Sequence, residues 1–309
     1  MPWTPADMPA LPGRRAVVTG ASGGIGYFTA LELSRHGAEV TLAVRDLDKG
    51  MAAARRMRDA GAGEPEVREL DLASLASVRA FADHWGQDNP TGLDLLINNA
   101  GVMAIPRQVT IDGFELQLAT NYLGHFALTA LLMPALLARP QSRIVSVTSN
   151  AHRFTKSIDF DDLMGQQRYR AWNAYAQSKL AQLLFTNELQ SRLVRIGSST
   201  KAMAAHPGYA ATGLYKAPLR LGRIPFANAA LTQIGSVFGQ SAEQGAMPSL
   251  FAATAPGLLG DSYIGPDGPG QWKGYPHLVD RSPAAMDIAA ATRLWDVSEQ
   301  LTGIHFPLD

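Results

Sequence analysis

The chain has no cysteine among its 309 residues. That excludes disulfides, thiolate catalysis and cysteine-held zinc, and it is compatible with a reducing compartment. Neither sign of charge is in excess: 27 Lys and Arg stand against 27 Asp and Glu. Without a basic field, neither nucleic acid nor an anionic membrane surface is an expected partner. Charged residues make up 17% of the chain, against about a quarter in an average soluble domain. None of the seven histidines is paired at H-x-x-x-H or H-x-H spacing, so no metal site is expected. Long apolar runs are also missing. The longest, 126–138, contains Thr129 and Pro134 and is too short to cross a bilayer. The first residues carry prolines and Asp7 where a signal peptide needs an apolar run. The expectation is a cytoplasmic protein with no integral membrane segment.

What is present is apolar residues, at 46%, arranged as alternating strands and helices. Strands are expected at 15–20, 39–44, 66–70, 93–98, 142–149, 200–206 and 261–265. Helices are expected at 24–38, 47–61, 74–86, within 112–138, at 172–195 and at 283–301. Such alternation means parallel strand–helix–strand units with helices on both faces of the sheet. Continuous apolar strands such as "LDLLI" agree with a sheet covered on both sides. Region 207–260 breaks the alternation and reads as irregular. No linker or repeat divides the chain, so residues 14–309 are expected to form one domain after an extension at 1–13.

"TGASGGIG" (19–26) closes the first strand and opens the first helix. Gly20, Gly24 and Gly26 allow a tight turn and a close approach of a pyrophosphate to the backbone, with Ser22 and Ile25 between them. The helix then offers free N–H groups to the anion. In this strand–turn–helix context the glycines point to a dinucleotide and to a Rossmann-type doubly wound α/β sheet of about seven strands. The end of the second strand selects the dinucleotide. NAD needs a carboxylate there for the ribose 2′-OH. Here Val44 is followed by Arg45, whose guanidinium suits a 2′-phosphate. NADP(H) is therefore expected over NAD(H), with Ser22 as a second donor. Asp46 is the objection, since it could turn inward instead.

Tyr175 and Lys179 stand four residues apart, on one face of one helix. Together with "TGASGGIG", "NNAG" (98–101), Asn121, Ser149 and "HPGYAAT" (206–212), they follow the order of a known family. From about residue 14 to its end the chain resembles the short-chain dehydrogenases/reductases. "NNAGVMAIP", "DGFELQLATNYLGHFALT" and "LWDVSEQLTG" are similar to the branch holding retinol dehydrogenases, the WW-domain oxidoreductase and protochlorophyllide-reductase-like proteins. Members of that branch use NADP(H) as a rule, in agreement with Arg45.

The chemistry expected of these residues is carbonyl–alcohol interconversion. Tyr175 is the acid. A free phenol has a pKa of about 10, and a nearby ammonium and an oxidised nicotinamide ring both favour phenolate. Lys179 supplies the ammonium and reaches the nicotinamide ribose. Ser149, at a strand's C-terminal end, donates to the substrate oxygen. The resemblance implies the rest. Asn121 opens its helix and holds a water linking Lys179 to solvent. Asn98, Ala100 and Gly101 lie under the adenine ribose, with Asp71 and Leu72 bordering the adenine. Pro207 and Gly208 face the nicotinamide amide, Thr212 bonds the pyrophosphate or amide, and Tyr209 lines the substrate pocket. His125, His152 and His206 read as structural.

Two departures matter. Ser149 and Tyr175 are 26 residues apart, so 150–171 holds an insertion over the rim of the site or the helix beside it. By resemblance, the helices of 112–138 and 172–195 can build a homodimer, which the insertion can also block. Segment 213–240 sits where the family has its substrate lid. Its composition suits a lipophilic ketone, aldehyde or alcohol. The competing reading is a membrane-touching helix with Lys216, Arg220 and Arg223 at the headgroups, against which Pro218 and Pro225 break the periodicity. A non-catalytic NADP(H)-binding sensor or scaffold is the functional alternative.

Overall fold

Each inner strand is apolar on both sides because helices cover both faces of the sheet. The structure, a computed structural model, describes residues 2–209 and 240–308. Its strands are β1 (Arg15–Thr19), β2 (Glu39–Val44), β3 (Glu66–Glu69), β4 (Leu95–Asn98), β5 (Arg143–Val147), β6 (Lys201–Ala205), β7 (Tyr263–Pro266) and β8 (Pro276–Leu278). They lie in the order β3-β2-β1-β4-β5-β6-β7-β8. The first seven are parallel. β8 runs antiparallel to β7, with Gly265 opposite His277. The eighth strand was not expected, because three residues starting at a proline carry no periodic signal. β1 pairs with both β2 and β4, so the order reverses there. Such a reversal opens a crevice at the C-terminal ends of the strands.

Side chains alternate across the sheet. Val17, Leu96 and Ile144 join one core, while Ala16, Val18, Ile97 and Val145 join the other. The first core lies under α3 (Leu75–Asp88), α5 (Gly124–Leu137), α6 (Ala171–Arg195) and α8 (Ile288–Thr302). The second lies under α1 (Gly24–Arg35), α2 (Leu47–Asp59) and α7 (Ala242–Thr254). α7 corrects the expectation of an irregular 207–260. A capping box of Ser241 and Gln244 starts it, and Ala246, Leu250, Ala252 and Ala253 are buried. It is a crossover helix against the sheet, and its interior Pro248 hides the pattern. The remainder of the expected lid, 210–239 with Thr212, Lys216, Arg220 and Arg223, lies outside the described residues.

The expected helix within 112–138 is not continuous. A short α4 (Leu116–Leu118) leads into a π-helical stretch, Ala119–Leu123, before α5 begins. Most of α5 and the middle of α6 are enclosed by the chain. Only Pro134 of α5 is exposed, and no residue of 175–190 is. Trp295 of α8 and Phe306 close over Phe126, with ring centroids 5.3 and 5.0 Å away. Toward the ends of α6, Trp172 and Val194 are exposed. The insertion packs beside the two helices: the Tyr169 hydroxyl donates to Ile105 O at 2.9 Å, and Ile158 is buried. Among the described residues, no helix is long and apolar enough to cross a membrane, and no cluster could hold a metal.

Candidate active site

The glycine turn is held by close packing. At Gly20, whose φ is +67°, a Cβ would meet Ala100 Cα at 2.9 Å. At Gly26 it would meet Asn99 Nδ2 at 2.4 Å and Gly20 O at 2.6 Å. The turn thus locks onto the 98–101 turn, and the amino end of α1 opens into a cleft of ≈ 450 Å³. Gly23, the N-cap, has no side chain to satisfy the first N–H groups, which leaves them for an anion. Gly20, Ser22, Gly24, Ile25, Gly26 and Arg45 line the adenine-side end expected of the cleft, together with Asp71, Leu72, Ala100 and Gly101. Tyr175, Lys179 and Pro207 line its other part.

Asp46 does not compete with Arg45. Its carboxylate caps α2, accepting from Lys49 N at 3.1 Å, and pairs with Lys49 Nζ at 2.5 Å. The hydrogen bonds from the Lys49 side chain and backbone hold this carboxyl below its usual range. Lys49 also lines the cleft, so two cations stand at this end. Sequence reasoning missed Lys49. The signal was an Asp three residues ahead of it at a helix start.

Thr19 ties the turns together. Its hydroxyl accepts from Asn99 N and Ala100 N, both at 2.9 Å, and lies 2.9 Å from His125 Nε2. Asn98 is corrected here. It is fully buried and its amide donates to Thr129 Oγ1 at 3.0 Å, away from the cleft. The second asparagine, Asn99, lines the cleft instead, because strand alternation turns Asn98 into the core.

Ser149 follows β5, and its Oγ accepts from Ala151 N at 3.1 Å. The Ser149 side chain acts on the Tyr175 hydroxyl in the direction of phenolate. Lys179 Nζ lies 5.6 Å from the centre of the Tyr175 ring and donates to Val147 O and Gln182 Oε1, each at 3.0 Å. Burial pushes Tyr175 up to about 12, with Ser149 acting the other way, and burial pulls Lys179 down to about 7. Two enclosed groups that lose water are both driven to their neutral forms.

Asn121 sits in the π-helical stretch and is fully buried. Its Oδ1 accepts from Val102 N at 2.8 Å, and its Nδ2 donates to Val102 O at 3.0 Å and Ser178 Oγ at 2.9 Å. Its carbonyl accepts from Gln182 Nε2 at 2.8 Å and His125 Nδ1 at 3.0 Å. The opened helix that the resemblance implied is there.

The histidines are buried. His125 and His152 are pulled down to about 4 and His206 to about 3, in each case chiefly by burial. His152 Nδ1 donates to Ser149 O at 2.8 Å and so braces the serine. Gly208, at φ +65°, would put a Cβ 2.4 Å from Trp272 O, and the Tyr209 ring stacks on Trp272 at 5.7 Å.

Known proteins bear on this arrangement. The model of the short-chain dehydrogenase family matches residues 14–219. Human retinol dehydrogenase 13 is 42% identical over 307 residues, covering 96% of this chain and 87% of that one. Human retinol dehydrogenase 12 is 42% identical over 299 residues, covering 96% and 88%. A crystal structure of an uncharacterized protein from Mycobacterium paratuberculosis superposes with a TM-score of 0.80 at 46% identity, covering 99% of this chain and 100% of that one. A structure from Beutenbergia cavernae, described as an NAD(P)-dependent gluconate 5-dehydrogenase with bound NADP at low occupancy, gives 0.63 at 29% identity, covering 82% and 95%.

Proposed function

The chain belongs to the short-chain dehydrogenase family and is an oxidoreductase; from that premise we propose that it uses NADP(H) to interconvert a carbonyl and an alcohol on a lipophilic small molecule. The observation that carries the proposal is Tyr175 and Lys179, one helical turn apart, lining one cleft with the glycine turn. The close-packed glycines and the bare amino end of α1 fit a pyrophosphate. Arg45 and Lys49 fit a 2′-phosphate. When bound, a reduced nicotinamide supplies hydride to the carbonyl carbon. Tyr175, kept protonated by burial, gives its proton to the carbonyl oxygen. Ser149 orients the phenol and donates toward the developing oxyanion. Lys179 holds the ribose side of the site. The retinol dehydrogenases among the relatives make all-trans-retinal and retinol the first pair to assay.

The test is a panel of lipophilic aldehydes, ketones and alcohols followed by NADPH absorbance, with NADH as control, on the wild type and Tyr175→Phe. Turnover should fall by roughly 10²–10⁴-fold in Tyr175→Phe, with NADPH binding kept. Undiminished turnover overturns the role of Tyr175. NADPH binding with no turnover of any substrate in the wild type favours the sensor or scaffold. A cytoplasmic location belongs to the same proposal and is read by cell fractionation.

A further inference from the structure

Among the described residues four large aromatic side chains are exposed: Phe154, Trp172, Trp272 and Tyr275. All four belong to connections that leave the carboxyl ends of parallel strands. Phe154 closes the helical turn Asn150–Phe154, which follows β5 and Ser149. Trp172 is in the first turn of α6, where that same connection ends. Trp272 and Tyr275 lie between β7 and β8. Asn150 Nδ2 donates to Gly270 O at 3.3 Å and so ties the two connections together. Apolar surface left in water costs free energy. Here its aromatic part is gathered at the sheet edge where open α/β folds bind ligands.

Trp172 has a defined place in this rim. It precedes Tyr175 by three residues and Lys179 by seven, so the three share one stripe of α6. Its ring meets the Tyr175 ring edge-on, with centroids 6.1 Å apart and planes at 82°. At 1.5 Å of rise per residue, Lys179 stands ~6 Å from Tyr175 along the axis and Trp172 ~4.5 Å from it on the opposite side. Lys179 and Tyr175 line one cleft with the glycine turn, which puts the dinucleotide on the Lys179 side. A substrate with its carbonyl at Tyr175 must extend the other way. There the indole is 49% exposed and offers a flat apolar face. We propose that Trp172 is a specificity-determining residue: its indole covers the body of the substrate beyond the carbonyl and selects an elongated lipophilic aldehyde or ketone over a short one. The inference rests on the reading of Tyr175 as the proton donor. The contact carries no charge, so it discriminates by covered area, and each methylene laid against the indole is worth about fourfold in affinity.

The experiment compares propanal, too short to cover the indole, with octanal. Steady-state kinetics with NADPH are run on the wild type, Trp172→Ala and Trp172→Phe. Trp172→Ala should lower kcat/KM for octanal by about 10–50-fold, chiefly through KM, and for propanal by no more than about threefold. KM for NADPH should stay within about threefold. Trp172→Phe restores a ring and should recover part of the loss. An equal loss on both aldehydes assigns the indole to bracing Tyr175 and overturns the proposal, as does no loss on either. A second reading needs no turnover. Octanamide, which is not reduced, is titrated by calorimetry into protein loaded with NADP+. Its Kd should rise by about tenfold or more in Trp172→Ala. An unchanged Kd, or no binding to the wild type, overturns the proposal. If Trp172→Ala does not fold, Trp172→Leu is read in both assays: a selective loss on octanal and octanamide supports the role of the indole, and its absence overturns it. Tyr175→Phe separates the two claims. Full turnover of propanal there overturns the acid–base reading and leaves octanamide binding to decide on Trp172, whereas lost turnover beside an octanamide Kd that Trp172→Ala does not move overturns only the role of Trp172.

Discussion

At the scale of the residue, cofactor choice turns on Arg45. Lys49 is partly neutralised by Asp46, while Arg45 is exposed at the cleft. Arg45→Ser should raise KM for NADPH by roughly 10–100-fold, the worth of one charge-assisted hydrogen bond, and leave KM for NADH nearly unchanged. Steady-state kinetics with both cofactors check this. The pH dependence follows from Lys179. Tyr175 stays protonated up to about 12, but the Lys179 ammonium is lost as pH rises through about 7. Carbonyl reduction should therefore be fastest below about pH 7 and decline above it, which a pH profile of kcat/KM reads. The positions of Tyr175, Lys179 and Arg45 were legible in the sequence, because fixed spacing on a helix or at a strand end determines them. The electrostatic state of Tyr175 was not. It depends on enclosure by distant elements, which pushes the phenol up.

At the scale of the element, the junction of β1 with the 98–101 turn holds the cleft open. Thr19→Val keeps the shape but leaves the N–H groups of Asn99 and Ala100 without their acceptor. Loss of these half-buried hydrogen bonds should cost about 1 kcal/mol, read as a lower denaturant midpoint, and NADPH affinity should fall with it. Helix and strand locations were largely legible from periodicity and the glycine turn. Three features were not. β8 is too short for a pattern, α7 is masked by Pro248 and its small residues, and the π-helical stretch is stabilised from outside by Gln182, His125 and Ser178. The exchange of Asn98 for Asn99 has the same origin: the last strand residue points inward, and the first turn residue is free to face the ligand.

At the scale of the whole molecule, α8 and the residues after it seal the faces of α5 and α6. Trp295 is 1% exposed and packs on Phe126, Phe185 and Phe306. Trp295→Ala should destabilise the protein by about 3–5 kcal/mol, measured by chemical denaturation. Acid should be a second weakness. Unfolded imidazoles bind protons below about 6.5, whereas folded His125 and His152 resist them down to about 4 and His206 to about 3. Across that window the unfolded state binds more protons, so stability should fall as pH drops from about 6.5 toward 4. Thermal melts through that range check it. By itself the sequence determined the fold class, the glycine turn, the helical pairing of Tyr175 with Lys179 and the cation at the end of β2. All of these are local, written in spacings of a few residues. Tertiary structure alone decided that Asp46 turns to cap α2, that Asn98 is buried while Asn99 lines the cleft, and that Lys179 meets the Gln182 amide and the Val147 carbonyl. Those outcomes depend on which remote side chains arrive at one place, and a linear pattern does not carry that information.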